Sequence, residues 1–145
     1  MTKACLINIW TRRKWGGPMT THQSVRLITN KGIQGAVSCG THRQITIIEQ
    51  EVWHKVMKKL SSHLPPQTRR ANLMLAGIKL QDTKGKILTI GECQLSIMGE
   101  TTPCEAMEAK LPGLQAALKP NWNGGVFARV LKGGQINVND WVNWH

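Results

Sequence analysis

Apolar residues recur along this chain at two spacings, and the switches between them mark its elements. Residues 5–10 (Cys-Leu-Ile-Asn-Ile-Trp) and 24–29 (Ser-Val-Arg-Leu-Ile-Thr) alternate loosely and favour β-branched side chains, which predicts two strands. Gln44-Ile45-Thr46-Ile47-Ile48 gives the clearest strand signal of all. The period then lengthens. Val52, Trp53, Val56, Met57 and Leu60 fall on one helical face, and Glu51, Lys55, Lys58 and Lys59 fall on the other. Ser61, Ser62 and Pro65-Pro66 end that helix. Strand spacing returns at residues 73–76, 87–90, 94–98 and 126–131, and residues 135–138 read as the hairpin partner of the last across Lys132-Gly133-Gly134. Two shorter helices are predicted at 103–110 and 114–118, parted by Pro112-Gly113. Residues 31–40 carry three glycines and read as a tight or cofactor-approaching loop.

Short strands joined by glycine turns, with two or three helices, predict a mainly β, mixed α+β fold. The expected form is β-barrel-like with the helices at its rim. Strands and helices do not alternate, which argues against a Rossmann arrangement. The 145 residues suit one domain spanning 1–145, and no internal repeat or linker interrupts them. No apolar run approaches the ~20 residues that span a bilayer, and the N-terminus is too interrupted for a secretory signal. The expectation is a cytoplasmic protein without a membrane segment.

Charge narrows the partners. Nineteen Lys and Arg against eight Asp and Glu give a net charge of +11 and call for an anionic partner: nucleic acid, an acidic protein or a phosphorylated cofactor. Six tryptophans could stack on bases, so a small basic nucleic-acid-binding module is one reading. The basic residues form no dense stripe, however, and Trp53 belongs to a helix's apolar face. With so few acids, paired-carboxylate chemistry has little material. The four cysteines include no Cys-x-x-Cys pair, so neither a zinc ribbon nor a thioredoxin-type couple is supported. His54 and His63 lack metal-ligand spacing.

Three constellations remain. In Thr102-Pro103-Cys104-Glu105, Thr102 suits a helix N-cap, Pro103 the first helical position and Glu105 a capping box. That reading sets Cys104 in the first turn, where the helix dipole favours a nucleophilic, metal-binding thiolate and Glu105 disfavours it. The plainer alternative is a small hydrophobe filling a gap. Arg69-Arg70-x-Asn72 offers two forked cations beside a turn, suited to phosphate or to solvent. Asn123-Gly124-Gly125-Val126-Phe127-Ala128-Arg129 lets the backbone approach something closely, and Arg129 faces either solvent or an anion.

Taken in order, Gly16-Gly17-Pro18-Met19, Arg43-Gln44-Ile45-Thr46-Ile47-Ile48, Arg69-Arg70-Ala71-Asn72, Ile90-Gly91-Glu92, Gly99-Glu100-Thr101-Thr102-Pro103-Cys104 and Gly124-Gly125-Val126-Phe127-Ala128-Arg129-Val130-Leu131 resemble a MOSC domain. The family takes its name from the C-terminal domain of molybdenum cofactor sulfurases, and small stand-alone versions exist in bacteria. The likeness runs from about residue 8 to residue 141. It implies a barrel-rich fold that handles a molybdopterin-type molybdenum cofactor, with Cys104 carrying sulfur or ligating molybdenum. It further implies that Arg70, Asn72, Arg129, Arg43 and His42 hold the cofactor. The implied partner is a cysteine-desulfurase-like, pyridoxal-phosphate sulfur donor or an electron-transfer protein, the latter in a system that reduces N-hydroxylated compounds. One departure stands out: Gly35-Ala36-Val37-Ser38-Cys39-Gly40-Thr41-His42 lacks the Asp that usually follows Gly in stand-alone members. His42 is then the equivalent histidine in an altered loop, and Cys39 is either a second site thiol or a tolerated substitution.

Overall fold

The computed structural model describes residues 3–145. In chain order its elements are β1 (Cys5–Thr11), β2 (Thr20–His22), β3 (Ser24–Ile28), β4 (Gly32–Ile33), β5 (Ile45–Glu49), α1 (Gln50–Lys59), β6 (Leu73–Ala76), β7 (Ile87–Ile90), β8 (Cys93–Glu100), α2 (Glu105–Lys110), α3 (Leu114–Leu118), β9 (Val126–Lys132), β10 (Gly134–Asn137) and β11 (Val142–Trp144). Short 3-10 turns at Pro66–Arg69 and Pro120–Trp122 lead into β6 and β9. Among the described residues the strands form an eight-stranded sheet, β11-β7-β8-β9-β5-β6-β1-β2, and a three-stranded one, β10-β3-β4.

The large sheet is mostly antiparallel, but β5 and β6 are parallel because α1 carries the chain across between them. Its curl brings Trp141, beside β11, against Cys5 of β1 through a single antiparallel bridge. Leu6 N–H donates to the Asp140 carbonyl at 2.9 Å and Val142 N–H to the Ala4 carbonyl at 3.0 Å across the same seam. The expected mainly β, mixed α+β fold with short helices is therefore present, while the sheet is not closed into a barrel: one bridge, and no full ladder, joins β1 to the segment before β11.

Strand alternation explains the main core. Ile45 and Ile47 of β5, Leu73 and Leu75 of β6, and Leu95 and Ile97 of β8 point inward, and Leu27, Ile33 and Ile136 of the small sheet close over them. The other face of the large sheet buries Trp10, Ile48, Ala71 and Met74. The apolar stripe expected on α1 is realised as Trp53, Val56 and Met57, packed on Met107 of α2 and on Leu114 and Leu118 of α3. Its Trp53 indole N–H donates to the Leu64 carbonyl at 3.0 Å. The acids serve loops: Glu51 accepts from Gly77 N–H at 2.7 Å, and Glu108 accepts from Gly113 N–H at 2.8 Å and Gln115 N–H at 3.2 Å. Burial, ahead of any charge, raises the Glu49 carboxyl above its ordinary value, while Leu80 N–H pulls it down.

One expected pairing is corrected. β10 does not fold back on β9; it pairs with β3, Gly134 opposite Leu27 and Asn137 opposite Ser24. Gly133 passes against the Leu27 carbonyl where a Cβ has no room, and Gly134 takes φ +145°, so these glycines carry the chain from one sheet to the other and not round a hairpin. β2, β4 and β11 are too short to show a period in the sequence. Among the described residues, no helix is long and apolar enough to cross a membrane.

Candidate functional site

Thr46 and Ile48 face away from the main core, and on their side of β5 lies a cavity of about 460 Å³. Its wall is assembled from segments far apart in sequence: Arg12 just past β1, Ala36 to Ser38 after β4, Arg43 before β5, Arg69 to Asn72 before β6, Thr101, Thr102, Cys104, Ala106 and Met107 after β8, and Gly124 before β9. Among the described residues four guanidiniums thus line one cavity, and none of those lining it is acidic. Four cations drawn together without internal compensation give the cavity a field that favours anions.

Arg69 and Arg70 come from the end of the 3-10 turn. Arg69 Nη2 donates to Thr101 Oγ1 at 3.2 Å and to the Gly124 carbonyl at 2.9 Å. Its Nε is buried and has no partner among the described residues. Burial, first, lowers the Arg69 guanidinium from its ordinary value; charge on Cys104 acts in the opposite sense, and Arg43 lowers it further. Arg70 adopts φ +62°, an uncommon left-handed conformation for a residue with a side chain. It is held there by its N–H to the Gln67 carbonyl at 2.9 Å and by its guanidinium to the Gly17 carbonyl. Burial, and then the charge of Arg70, lower Arg12 as well.

Asn72 lines the cavity, but its side chain is committed to the protein. Oδ1 accepts from Thr46 N–H at 3.0 Å and Thr46 Oγ1 at 3.3 Å, while Nδ2 donates to the Trp10 carbonyl at 3.1 Å. It acts by fixing the arginine turn between β1 and β5.

Cys104 is exposed on the cavity wall, with Arg43, Arg69 and Arg70 lining the same space. The expected helix start is corrected. α2 begins at Glu105, Cys104 is the residue before it with extended backbone (φ −105°, ψ 175°), and no side-chain cap is made. Pro103 biases Thr102 away from helical backbone, and the Thr101 hydroxyl fastens the segment to the Gly124 carbonyl at 2.6 Å. The thiol thus stands at the N-cap of a six-residue helix, one position before its first turn, and shares its cavity with the guanidiniums.

The remaining expected site residues scatter. Arg43 is an exposed lining residue whose guanidinium carbon is 5.4 Å from the Phe127 ring centroid. The His42 ring packs on that same Phe127, centroids 5.4 Å apart, outside the lining. Arg129 is exposed on β9 opposite Ser96 and does not line the cavity, because strand alternation turns it away from the buried Ala128 and Val130. Cys39 is half-buried and outside the lining, although Ala36, Val37 and Ser38 of its loop contribute. The close approach allowed by Gly124 and Gly125 is to the Thr101 and Ile47 carbonyls. Sequence reasoning missed Arg12, Trp15 and Thr101. Arg12 and Trp15 stand in a basic run that reads as solvated surface, and the one signal for Trp15 was the Gly16-Gly17-Pro18 turn that follows it.

The family model for the MOSC domain matches residues 34–143. Comparison with curated proteins finds no match. Among solved structures, the YuaD protein from Bacillus subtilis superposes with a TM-score of 0.82 at 17% identity, covering 97% of this chain and 94% of that one. YiiM from Escherichia coli gives 0.74 at 14% identity, with 100% and 70% coverage, and YiiM from Geobacillus stearothermophilus gives 0.70 at 17%, with 97% and 73%. At these identities the structures speak to the fold, while the family match speaks to descent. With most of its length matched, the chain belongs to the MOSC domain family, a domain of the molybdenum-cofactor-sulfurase type.

Proposed function

We propose that the arginine-lined cavity binds a phosphate-bearing, molybdopterin-type molybdenum cofactor and that Cys104 either carries sulfur to it or ligates its metal. The observation behind this reading is the joining, in one cavity without a carboxylate, of four guanidiniums and an exposed thiol. The residues suit the group: Arg12, Arg43, Arg69 and Arg70 are forked donors for phosphate, and a cysteine sulfur is a soft donor for a thiophilic metal. When bound, such a cofactor supplies a metal centre that exchanges sulfur or oxygen ligands. Arg69 and Arg70 hold the anion, and Asn72 keeps their turn in place.

In the carrier role the Cys104 sulfur attacks the outer sulfur of a donor persulfide. The donor's inner sulfur leaves as a thiolate and Cys104 keeps the transferred sulfur, with no net oxidation. A cysteine-desulfurase-like enzyme is the donor class this chemistry calls for; an electron-transfer protein takes its place if the site is reductive. A cytoplasmic setting suits either partner, because thiols stay reduced there.

Protein isolated from a host that makes the cofactor tests the proposal. Wild type should carry molybdenum or a persulfide, and Cys104→Ser should lose it while melting at the same temperature, since Cys104 is exposed. Equal, negligible metal and persulfide in both proteins would remove the reading.

A further inference from the structure

Beyond the cavity, the outward face of the large sheet continues across four strands. Asn143 of β11 stands opposite Thr89 of β7, Thr89 opposite Gln94 of β8, and Gln94 opposite Lys132 of β9, so four polar side chains share one cross-strand row. At the usual sheet spacing that row is about 14 Å wide. The next row also ends in a cation, with Ser96 opposite Arg129. Asn143, Arg129 and Lys132 are exposed, because the helices cover the sheet elsewhere, α1 lying on β5 and β6. Trp141 belongs to the same face: Val142, between it and Asn143, is buried, and strand alternation turns its two neighbours outward. The Trp141 indole is 60% exposed, and the Lys3 ammonium lies 3.6 Å from its centroid. Among the described residues three large apolar side chains are exposed; Trp15 lines the cavity, and Trp141 and Leu131 flank this row. The carboxylates near it in sequence are turned elsewhere. Glu92 accepts from Gln135 N–H at 3.3 Å and Asp140 from Asn137 N–H at 2.8 Å, while Glu100 stands opposite the buried Val126.

We propose that this face, from Trp141 and Lys3 across to Arg129 and Lys132, binds single-stranded nucleic acid, a function separate from that of the cavity. The indole stacks on a base, the amides and hydroxyls of the row meet base edges, and the three cations meet phosphates. An acidic protein would answer the charge as well, but protein interfaces bury an apolar centre. Here the middle row is amide and hydroxyl, and the exposed apolar groups stand at its two ends. The sequence scatters these cations; the pairing of β7, β8, β9 and β11 gathers them. Phe127 marks the border with the cavity: it stands opposite Thr46 of the cavity wall, and the Arg43 guanidinium and the His42 ring already pack on it. The face uses no residue of the cavity, so its test is independent of Cys104.

The probe is a fluorescein-labelled oligothymidylate of about 15 nucleotides, followed by fluorescence anisotropy over a range of salt. The proteins are wild type, Trp141→Ala, Trp141→Phe, Arg129→Ala, Lys132→Ala and the α1 double variant Lys58→Ala, Lys59→Ala, whose lysines are exposed on another face. Wild type should bind at low salt and lose affinity steeply as salt rises. Trp141→Ala should weaken binding by about fivefold or more, with Trp141→Phe close to wild type. Arg129→Ala and Lys132→Ala should each lower the slope of log affinity against log salt by about 0.7, and the α1 variant should leave it unchanged. Wild type that does not bind overturns the proposal, as do equal affinities of wild type and Trp141→Ala or unchanged slopes in both β9 variants. A slope loss in the α1 variant equal to that of the two β9 variants combined overturns it too, since the charge would then act from the whole surface. So does poly-L-glutamate that displaces the probe as well as unlabelled oligothymidylate does, which would make the face a dock for an acidic protein.

Discussion

Asn72 and Thr46 hold each other through both backbone and side chain. Thr46 N–H donates to Asn72 Oδ1 at 3.0 Å, and Asn72 N–H donates to the Thr46 carbonyl at 2.9 Å. With Nδ2 on the Trp10 carbonyl and Trp10 N–H on the Asn72 carbonyl at 2.7 Å, one residue staples β1, β5 and the turn that precedes β6. That turn ends in Arg69 and Arg70. The staple is thus the mechanical link between the sheet and the arginine-lined cavity: it holds the left-handed Arg70 in place where a free loop would relax.

Replacing Asn72 with Ala should therefore act on stability and binding together. The change strands the Thr46 N–H and the Trp10 carbonyl in a region of low water access, costing about 2–3 kcal/mol. For a chain of this length that corresponds to a fall in melting temperature of roughly 5–10 °C. Pyrophosphate affinity should fall as well, although Asn72 need not touch the ligand. A melt within a degree of wild type would show that the other strand pairings hold the turn unaided.

The elements that the sequence disclosed are those with enough length to show a period. Helix α1 and strands β5, β7 and β9 were legible because a buried face repeated several times within them. β2, β4 and β11 were not, since two or three residues carry no period. The partner of β10 was hidden for a different reason: strand pairing is a long-range choice, and a glycine pair reads equally as a hairpin or as a crossing between sheets. At the site, Cys104 and the Arg69-Arg70 pair were legible from motif order. Arg12 and Trp15 were not, because their place in the cavity depends on a turn tied to residues over twenty and over fifty positions away. Asn72 was found for its position and not for its role, since its partners become visible only when β1, β5 and β6 lie side by side.

Arg129 and Arg69 make a controlled comparison, because both stand in motifs that the resemblance assigns to the cofactor. Arg129 is exposed on β9 and outside the cavity, so Arg129→Ala should change stability by less than about 0.5 kcal/mol and leave pyrophosphate affinity as it was. Arg69→Ala removes charged hydrogen bonds to Thr101 and Gly124 along with a cation of the cavity. It should cost about 2 kcal/mol and weaken pyrophosphate by about tenfold or more. Isothermal titration and thermal melts on the two variants side by side decide the matter. A large loss of affinity in Arg129→Ala would put the anion on a different face of the sheet.

Cys93 ties stability to alkaline pH. It is fully buried on β8 in the main core, against Gly134 of β10. Burial, with the Glu92 and Asp140 carboxylates adding to it, raises its thiol to about 11 from the ordinary 9.0, and Lys132 and Arg26 offset only part of the rise. Between those two values the native thiol keeps its proton while the unfolded chain has released it. The native state then binds more protons than the unfolded one, so stability falls as pH increases. The contribution is intact below pH 9 and drains away as pH climbs towards 11. Cys93→Ala removes the titrating group at the expense of a small void, so it should be less stable than wild type at pH 8. Its disadvantage should shrink, or reverse, by pH 10.5. Denaturant melts of both proteins at half-unit steps from pH 8 to 10.5 measure this directly. Two parallel curves would mean that the thiol titrates alike in the folded and unfolded chains.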